Sequence, residues 1–113
     1  ATFARRVWSA RSRGLLSDRL WSGIWAPPPF AGGHVLGWDT VAPDGYTSAG
    51  RLLSPDSRGH LAFTGCSLWI DPARRVAITL LCNRIHPTRD DTRIRALRPL
   101  LHDAVARAVD AVR

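Results

Sequence analysis

The chain has 113 residues, of which 45% are hydrophobic and 22% are charged. This length allows one domain, or part of one, with a modest core, and the composition argues against general disorder. All 16 basic residues are Arg, all 9 acidic residues are Asp, and the formal net charge is +7. The lack of Lys excludes a Schiff-base lysine, a lysine general base and a phosphate-binding P-loop. No apolar run approaches the ~20 residues that a membrane span needs.

The sequence contains no Met, so it does not begin at a translation start. We therefore expect it to be processed or to be a piece of a longer polypeptide. Residues 1–26 are too rich in Arg and Trp for a secretory signal, and the cellular compartment stays open.

The net charge makes nucleic acid the first macromolecular partner to consider. The arginines are scattered, however, and form no basic block interleaved with stacking aromatics. A solvated, Arg-rich surface is the favoured interpretation, and we expect no nucleic-acid partner.

The two cysteines, Cys66 and Cys82, allow at most one internal disulfide. Neither belongs to a Cys-x-x-Cys pair or a Cys/His cluster, so we expect no metal site and no cofactor. Both resemble small buried strand residues, placed diagonally rather than opposite each other. We predict free thiols.

The first third of the chain is predicted to be helical and then irregular. Residues 3–25 show apolar residues at loosely helical spacing, interrupted at Gly14 and ended by the proline run 27–29. Residues 34–40 look like one short extended stretch. Residues 42–59 are rich in Gly, Pro, Ser and Asp and form a long loop, of the kind that often walls a site.

The clearest strands are 60–70 and 76–85, joined by a turn at 71–75 that contains Pro72. Both are apolar on both faces, as expected of central strands covered on both sides. Such a hairpin needs more strands and cover than this chain supplies, which again suggests a missing upstream portion.

The last predicted element is a helix over 91–112, with Asp90 or Asp91 as its cap. Pro99 either kinks this helix or lies in the first turn of a helix that begins later. Its predicted buried stripe consists of Ile94, Leu97, Leu101, Ala104, Val105 and Ala108. The chain thus divides into a helical segment (1–30), a loop-rich segment (31–59), a β-hairpin (60–86) and a C-terminal helix (90–113).

The run from Gly59 to Pro72, GHLAFTGCSLWIDP, resembles the third motif region of β-lactamase-like serine hydrolases. This family includes class C β-lactamases, penicillin-binding DD-peptidases and related esterases. Its pattern there is Lys or His, then Thr or Ser, then Gly, often followed by Phe-Thr-Gly and a Leu-Trp-Ile-Asp-Pro strand and turn. The likeness extends over roughly residues 35–110 and is specific for the C-terminal end of the family's domain.

The resemblance implies an α+β fold, in which an antiparallel five-stranded sheet with helices on both faces lies beside an all-helical region. This chain would supply the last three strands of that sheet, the C-terminal helix and the end of the helical region. The fold class is therefore α+β, as a partial domain whose N-terminal part is a required partner.

The resemblance also implies the residues of one active-site wall. His60 matches the hydrogen-bond donor that faces the substrate, and the backbone N–H of Phe63 matches one arm of the oxyanion hole. Leu61 and Ala62 occupy substrate-binding positions but depart from the family's usual Thr or Ser and Gly. Arg89 or Arg93 could bind a substrate carboxylate, although a solvated Arg is the favoured alternative.

The family's nucleophile lies in a Ser-x-x-Lys turn, and a sequence without Lys cannot contain one. We therefore expect this chain alone to be inactive and the parent to transfer acyl groups from a small-molecule ester or amide. Two alternatives stay open: a non-catalytic relative serving as a binding or structural module, and a basic nucleic-acid-binding domain.

Overall fold

The computed structural model describes residues 16–28 and 33–113. Its helices are α1 (Asp18–Ile24) and α2 (Ile94–Ala111), and its strands are β1 (His34–Val35), β2 (Trp38–Thr40), β3 (Arg58–Leu61), β4 (Ser67–Asp71) and β5 (Val76–Leu80). The strands form one antiparallel sheet in the order β1-β2-β3-β4-β5. The predicted α+β class is confirmed, and the sheet contains two short strands besides the three that were expected.

The single extended stretch predicted over 34–40 is wrong, because the chain reverses inside it. Leu36 and Gly37 have φ angles of 46° and 83°, and strands β1 and β2 pair on either side of them. Two consecutive positive φ angles are typical of a type I′ hairpin turn. A leucine in the left-handed region is rare, so this turn could not be predicted from the local sequence.

The single strand predicted over 60–70 is also wrong, because residues 62–66 turn the chain between β3 and β4. The N–H of Gly65 donates to the carbonyl of Ala62 over 2.9 Å, which closes a β-turn, and Gly65 has a φ of 106°. The predicted turn at 71–75 does join an antiparallel pair, with Asp71 opposite Val76. The second strand of that pair ends at Leu80 rather than at residue 85.

The core lies between α2 and one face of the sheet. Its buried members are Ala49, Leu53, Trp69, Ile78 and Ala106. The opposite face is open around Ala77, Thr79 and Leu81, so within the described residues only one face of the sheet is fully covered.

The inner face of α2 differs from the predicted apolar stripe. The helix buries one residue in every four: Ile94, Arg98, His102 and Ala106. Leu97 is 48% exposed, and Ala104 and Ala108 are exposed as well. The prediction is correct for Ile94, which is buried, and for Leu101 and Val105, which are partly buried and pack against the core. It is wrong for the exposed residues because Arg98 and His102 take buried positions, where partners satisfy their polar groups.

The long predicted loop lies between Val41 and Ser57, and two aspartates hold it. Asp103 on α2 accepts the N–H groups of Arg51 and Leu52 over 2.7 and 2.9 Å. Asp71 at the end of β4 accepts the N–H and the hydroxyl of Ser54 over 3.0 and 2.8 Å. The loop is therefore fixed to the helix at one point and to the sheet at another.

The start of α2 is organised by Asp91. Asp91 Oδ1 accepts the N–H of Arg93 over 2.9 Å, and the same carboxylate pairs with the Arg93 guanidinium. The predicted cap by Asp90 or Asp91 is wrong, because Arg93 occupies the N-cap position and its side chain makes no capping hydrogen bond. Asp91 satisfies the backbone N–H of that N-cap residue instead.

Helix α1 is a short part of the helical segment predicted over 3–25. Ser17 caps it by accepting the N–H of Leu20, and the helix ends at Ile24, before the proline run. Arg58 fixes this end to β3, since its guanidinium donates to the carbonyls of Ile24 and Ala26 over 2.8 Å each. The predicted helix before residue 16, with its break at Gly14, lies outside the described residues.

We expect Gly59→Ala to destabilise the fold by about 3 kcal/mol, at the upper end of the usual cost of overpacking. A Cβ at this position would lie 2.3–2.6 Å from ring atoms of the buried Trp69. Urea denaturation measures the effect. Gly45→Ala is the matched control: Gly45 has a φ of 72° with open space around it, so that change carries only a conformational cost of about 1 kcal/mol. Equal losses for the two variants would contradict the packing described.

Candidate active-site wall

The turn that follows β3 is held by Arg98, which reaches it from α2. The Arg98 Nε donates to the carbonyl of Gly65 over 3.1 Å, and its Nη2 donates to those of Ala62 and Cys66 over 3.0 Å each. Arg98 is only 6% exposed, so these bonds satisfy a charged group inside the protein, as burial requires.

A second arginine, Arg84, holds the same turn from the other side. Its Nε donates to the carbonyl of Phe63 and its backbone N–H to that of Thr64, each over 2.8 Å. Its Nη1 donates to the carbonyls of Arg89 and Asp91 over 2.8 and 2.9 Å. Arg84 therefore ties the turn to the segment that leads into α2.

Together the two arginines and the turn's own bonds engage every carbonyl oxygen from residue 62 to residue 66. The N–H of Phe63, the second residue of the turn, takes no part in the turn's closure. Within the described residues no hydrogen bond donated by this N–H is seen. The Phe63 ring is 63% exposed and lies 4.7 Å from the Arg84 guanidinium.

His60 lies two residues before this turn, on β3 and opposite Leu68. Its side chain is exposed, and Nδ1 lies 3.2 Å from the carbonyl of Gly37 in the β1–β2 turn. That carbonyl can only accept, so Nδ1 carries the proton in this contact when the ring is neutral. Nε2 has no partner among residues 16–28 and 33–113, and it can contact a ligand.

His60 borders an open hollow of about 390 Å³ on the sheet face away from α2. The hollow is shared among β2, β3, β4 and β5, and its lining residues include Trp38, Ala62, Cys66, Leu68 and Leu81. Its walls are mostly apolar side chains, which favour an apolar group as occupant.

Ala62 borders a second hollow as well, of about 320 Å³, on the side of α2. Leu61 and Phe63 line this second hollow together with Arg95. His60, Leu61, Ala62 and Phe63 are consecutive residues at the end of β3, so they lie close together. They form one rim between the two hollows.

The two arginines considered for carboxylate binding lie elsewhere. Arg93 is exposed and pairs with Asp91 at 2.6 Å, and its guanidinium lowers the pKa of Asp91 to about 2. Arg93 lines a third hollow of about 430 Å³ with His86 and Leu97. Arg89 is exposed, and its carbonyl, not its guanidinium, is what connects it to Arg84. Neither residue is among those that line the two hollows beside His60 and Phe63.

Sequence reasoning missed the residues that build this wall from behind, namely Arg84, Arg98 and His102. His102 is fully buried, with Nδ1 2.6 Å from the carbonyl of Ser48 and Nε2 3.2 Å from the hydroxyl of Ser67. The only available signal was the four-residue spacing of Ile94, Arg98, His102 and Ala106, which a search for apolar periodicity passes over.

Neither a metal centre nor a membrane span is seen in the described part of the chain. Residues 16–28 and 33–113 contain no group of three or more His, Cys or Asp side chains arranged to hold a metal ion. No helix among them is long and apolar enough to cross a bilayer.

The fold and the wall define a small α+β unit whose central strand presents a histidine and a free amide at one rim. Residues 1–102 match the family model described as Beta-lactamase, so the chain belongs to the β-lactamase family. Comparisons with curated proteins and with solved structures gave no match.

We expect Arg98→Met to lower the free energy of unfolding by about 3 kcal/mol, because three turn carbonyls lose a charged donor. Chemical denaturation measures this loss. Arg95→Met is the matched control one turn away: Arg95 is exposed and lies over the Tyr46 ring at 5.2 Å, a contact that contributes about 1 kcal/mol at most. A cost for Arg98→Met no larger than that of the control would refute its role in holding the turn.

Stability should fall as the pH drops below the ordinary value of 6.5 for His102. Burial lowers the pKa of His102 in the folded chain, so the unfolded chain binds a proton that the folded chain resists. The loss begins near pH 6.5, continues downward and is absent at pH 8. Unfolding measured from pH 8 to pH 5 for the wild type and for His102→Gln isolates this contribution. Parallel curves would show that His102 titrates normally in the fold.

Proposed function

We propose that this chain forms one wall of the substrate groove of a serine hydrolase, whose parent transfers the acyl group of an ester or amide to a serine. The observation that carries the proposal is the rim at the end of β3. There the free Nε2 of His60 stands beside the apolar hollow of about 390 Å³. The unengaged N–H of Phe63 lies three residues further on, at the hollow of about 320 Å³, and Ala62 lines both hollows.

The Phe63 amide would act as one arm of an oxyanion hole. Acyl transfer places negative charge on the carbonyl oxygen, and a fixed N–H donor stabilises that charge more than it stabilises the substrate. The Phe63 amide is fixed because Arg84 and Arg98 hold the carbonyls around it. The Arg84 guanidinium beside the Phe63 ring adds positive charge to the same region.

His60 would orient the substrate from the neighbouring position. Its Nδ1 is directed at the Gly37 carbonyl, which leaves the unprotonated Nε2 of a neutral ring facing outward as an acceptor, or as a donor when the ring is charged. The hollow beside it would take an apolar part of a small-molecule ester or amide.

The nucleophile must come from outside this sequence. With no Lys in 113 residues, the chain cannot contain the Ser-x-x-Lys turn that the family resemblance implies, and covalent acyl transfer needs an activated nucleophile. The partner is accordingly the N-terminal part of the same domain, carrying that helix.

A non-catalytic relative is the second candidate, and Leu61 and Ala62 favour it. Leu61 removes a hydroxyl from the rim, and Ala62, which lines both hollows that a substrate would use, adds a methyl group where the family usually has Gly. Nucleic-acid binding has less support, because several arginines donate inward to backbone carbonyls or pair with carboxylates: Arg58, Arg74, Arg84 and Arg98.

In the polypeptide that joins this chain to a Ser-x-x-Lys region, we expect His60→Ala to lower kcat/KM for an activated ester by about 10–100-fold. The reason is the loss of a hydrogen bond that orients the substrate. His86→Ala, an exposed histidine on a different hollow, is the matched control and should leave the rate unchanged. The absence of any Ser-x-x-Lys sequence upstream in the gene would overturn the proposal.

The double variant Leu61→Thr with Ala62→Gly separates the two candidate functions in the same polypeptide. A gain in ester hydrolysis, or in labelling by a serine-reactive probe, indicates a hydrolase site weakened by these two residues. An unchanged, undetectable rate together with an intact fold indicates the non-catalytic role.

A further inference from the structure

Cys66 and Cys82 contact each other behind the turn that presents Phe63. The Cys66 Sγ lies 3.2 Å from the carbonyl oxygen of Cys82 and accepts the Cys82 N–H at 3.4 Å. The Cys66 sulfur thus lies directly against the main chain of Cys82, as a disulfide between the two residues requires.

The second sulfur approaches the same turn. The Cys82 Sγ is 3.9 Å from the carbonyl of Thr64, and the Thr64 hydroxyl is 3.7 Å from the Cys66 Sγ. Both sulfurs are therefore neighbours of one residue, Thr64. Both cysteines are free and only partly buried, so a small oxidant can reach them.

We propose that Cys66 and Cys82 form a redox-convertible pair, which a peroxide closes into an intrachain disulfide that locks the 62–66 turn to the segment after β5. The geometry rests on the reciprocal contacts of Cys66 with the Cys82 backbone and on the convergence of both sulfurs at Thr64.

The chemistry balances with hydrogen peroxide as the oxidant. The Cys66 thiol loses its proton, the thiolate attacks one peroxide oxygen, and the O–O bond breaks to give a sulfenic acid and hydroxide, which takes up that proton and leaves as one water. The Cys82 thiol then attacks that sulfur, its proton goes to the departing hydroxyl, and a second water leaves as the S–S bond forms. Two thiols are oxidised by two electrons in total, and one peroxide is reduced to two waters.

Cys66 is the better first nucleophile of the two. The hydrogen bond from the Cys82 backbone, then that from the Thr64 side chain, lower the pKa of the Cys66 thiol, and the nearby Arg98 acts in the same direction. A larger thiolate fraction speeds the first step. Cys66 also lines the 390 Å³ hollow beside His60, which gives a small peroxide a route to it.

The disulfide can form whether or not the proposed function is correct. Its effect on ligand binding at the rim, in contrast, rests on the proposed function. Closing the pair removes the contacts of the Cys66 sulfur with the Cys82 backbone and changes the wall of the hollow beside His60. Oxidation would thereby change binding at the rim that Phe63 and His60 form.

The test is thiol counting on the full 113-residue chain before and after treatment with hydrogen peroxide, at a protein concentration low enough to keep chains apart. The expected result is a fall from two titratable thiols per chain to none, with a mass about 2 Da lower and no dimer on a non-reducing gel. Dithiothreitol should return both thiols. This readout needs no hydrolytic activity, so it stands or falls separately from the proposed function.

The variants Cys66→Ser and Cys82→Ser are the matched controls, and neither should show the mass loss. The same treatment in concentrated urea should close the pair far more slowly, because the fold brings the sulfurs together. Two thiols surviving in the folded wild type, disulfide-linked dimers in place of the internal bond, or equal closure rates with and without urea would each overturn the proposal.

Discussion

Two arginine side chains that bind the carbonyl oxygens of one five-residue turn are the constraint on which the rest of this structure depends. A tight turn at the end of a central strand directs several carbonyls away from any ladder, and these carbonyls are the acceptors that the buried charge of Arg98 needs. Arg98 supplies donors from α2, and Arg84 supplies them from the segment after β5. Helix, sheet and connecting segment are consequently joined at the place where His60 and Phe63 reach the surface.

The same use of charged and polar side chains recurs through the interior. Asp103 and Asp71 fix the long loop to α2 and to the sheet, and burial, which would raise the pKa of Asp71, is outweighed by the hydrogen bonds that Ser54 and Arg74 donate, so that its pKa is lowered. His102 joins α2 to β4 through Ser67. In a chain with a modest core, these directed bonds specify which loop meets which element, while apolar packing around Trp69 supplies most of the non-specific stabilisation.

The hairpin around Pro72 could be predicted from local signals, namely the two apolar runs around Trp69 and Ile78 and the turn residues between them, whereas the α+β class followed from the family resemblance. Prediction failed where the decisive information is non-local. Phe63 and Thr64 look like strand residues, and only the positive φ of Gly65 and the donors of Arg84 and Arg98 make a turn of them. Leu36 adopts a backbone conformation that leucine rarely prefers. Apolar periodicity in α2 pointed to Leu97 and Ala104, whereas the buried positions are taken by Arg98 and His102, whose partners are distant in sequence.

The role proposed for the rim at the end of β3 requires that the Phe63 N–H donates a hydrogen bond to the oxyanion that forms during acyl transfer. The most direct measurement is a crystal structure of the complete domain with its serine phosphonylated by an ester analogue. We expect a phosphonyl oxygen within about 3 Å of the Phe63 nitrogen, with the 62–66 carbonyls still bound by Arg84 and Arg98. A phosphonyl oxygen bound elsewhere, with the Phe63 N–H turned inward onto a protein carbonyl, would contradict this role.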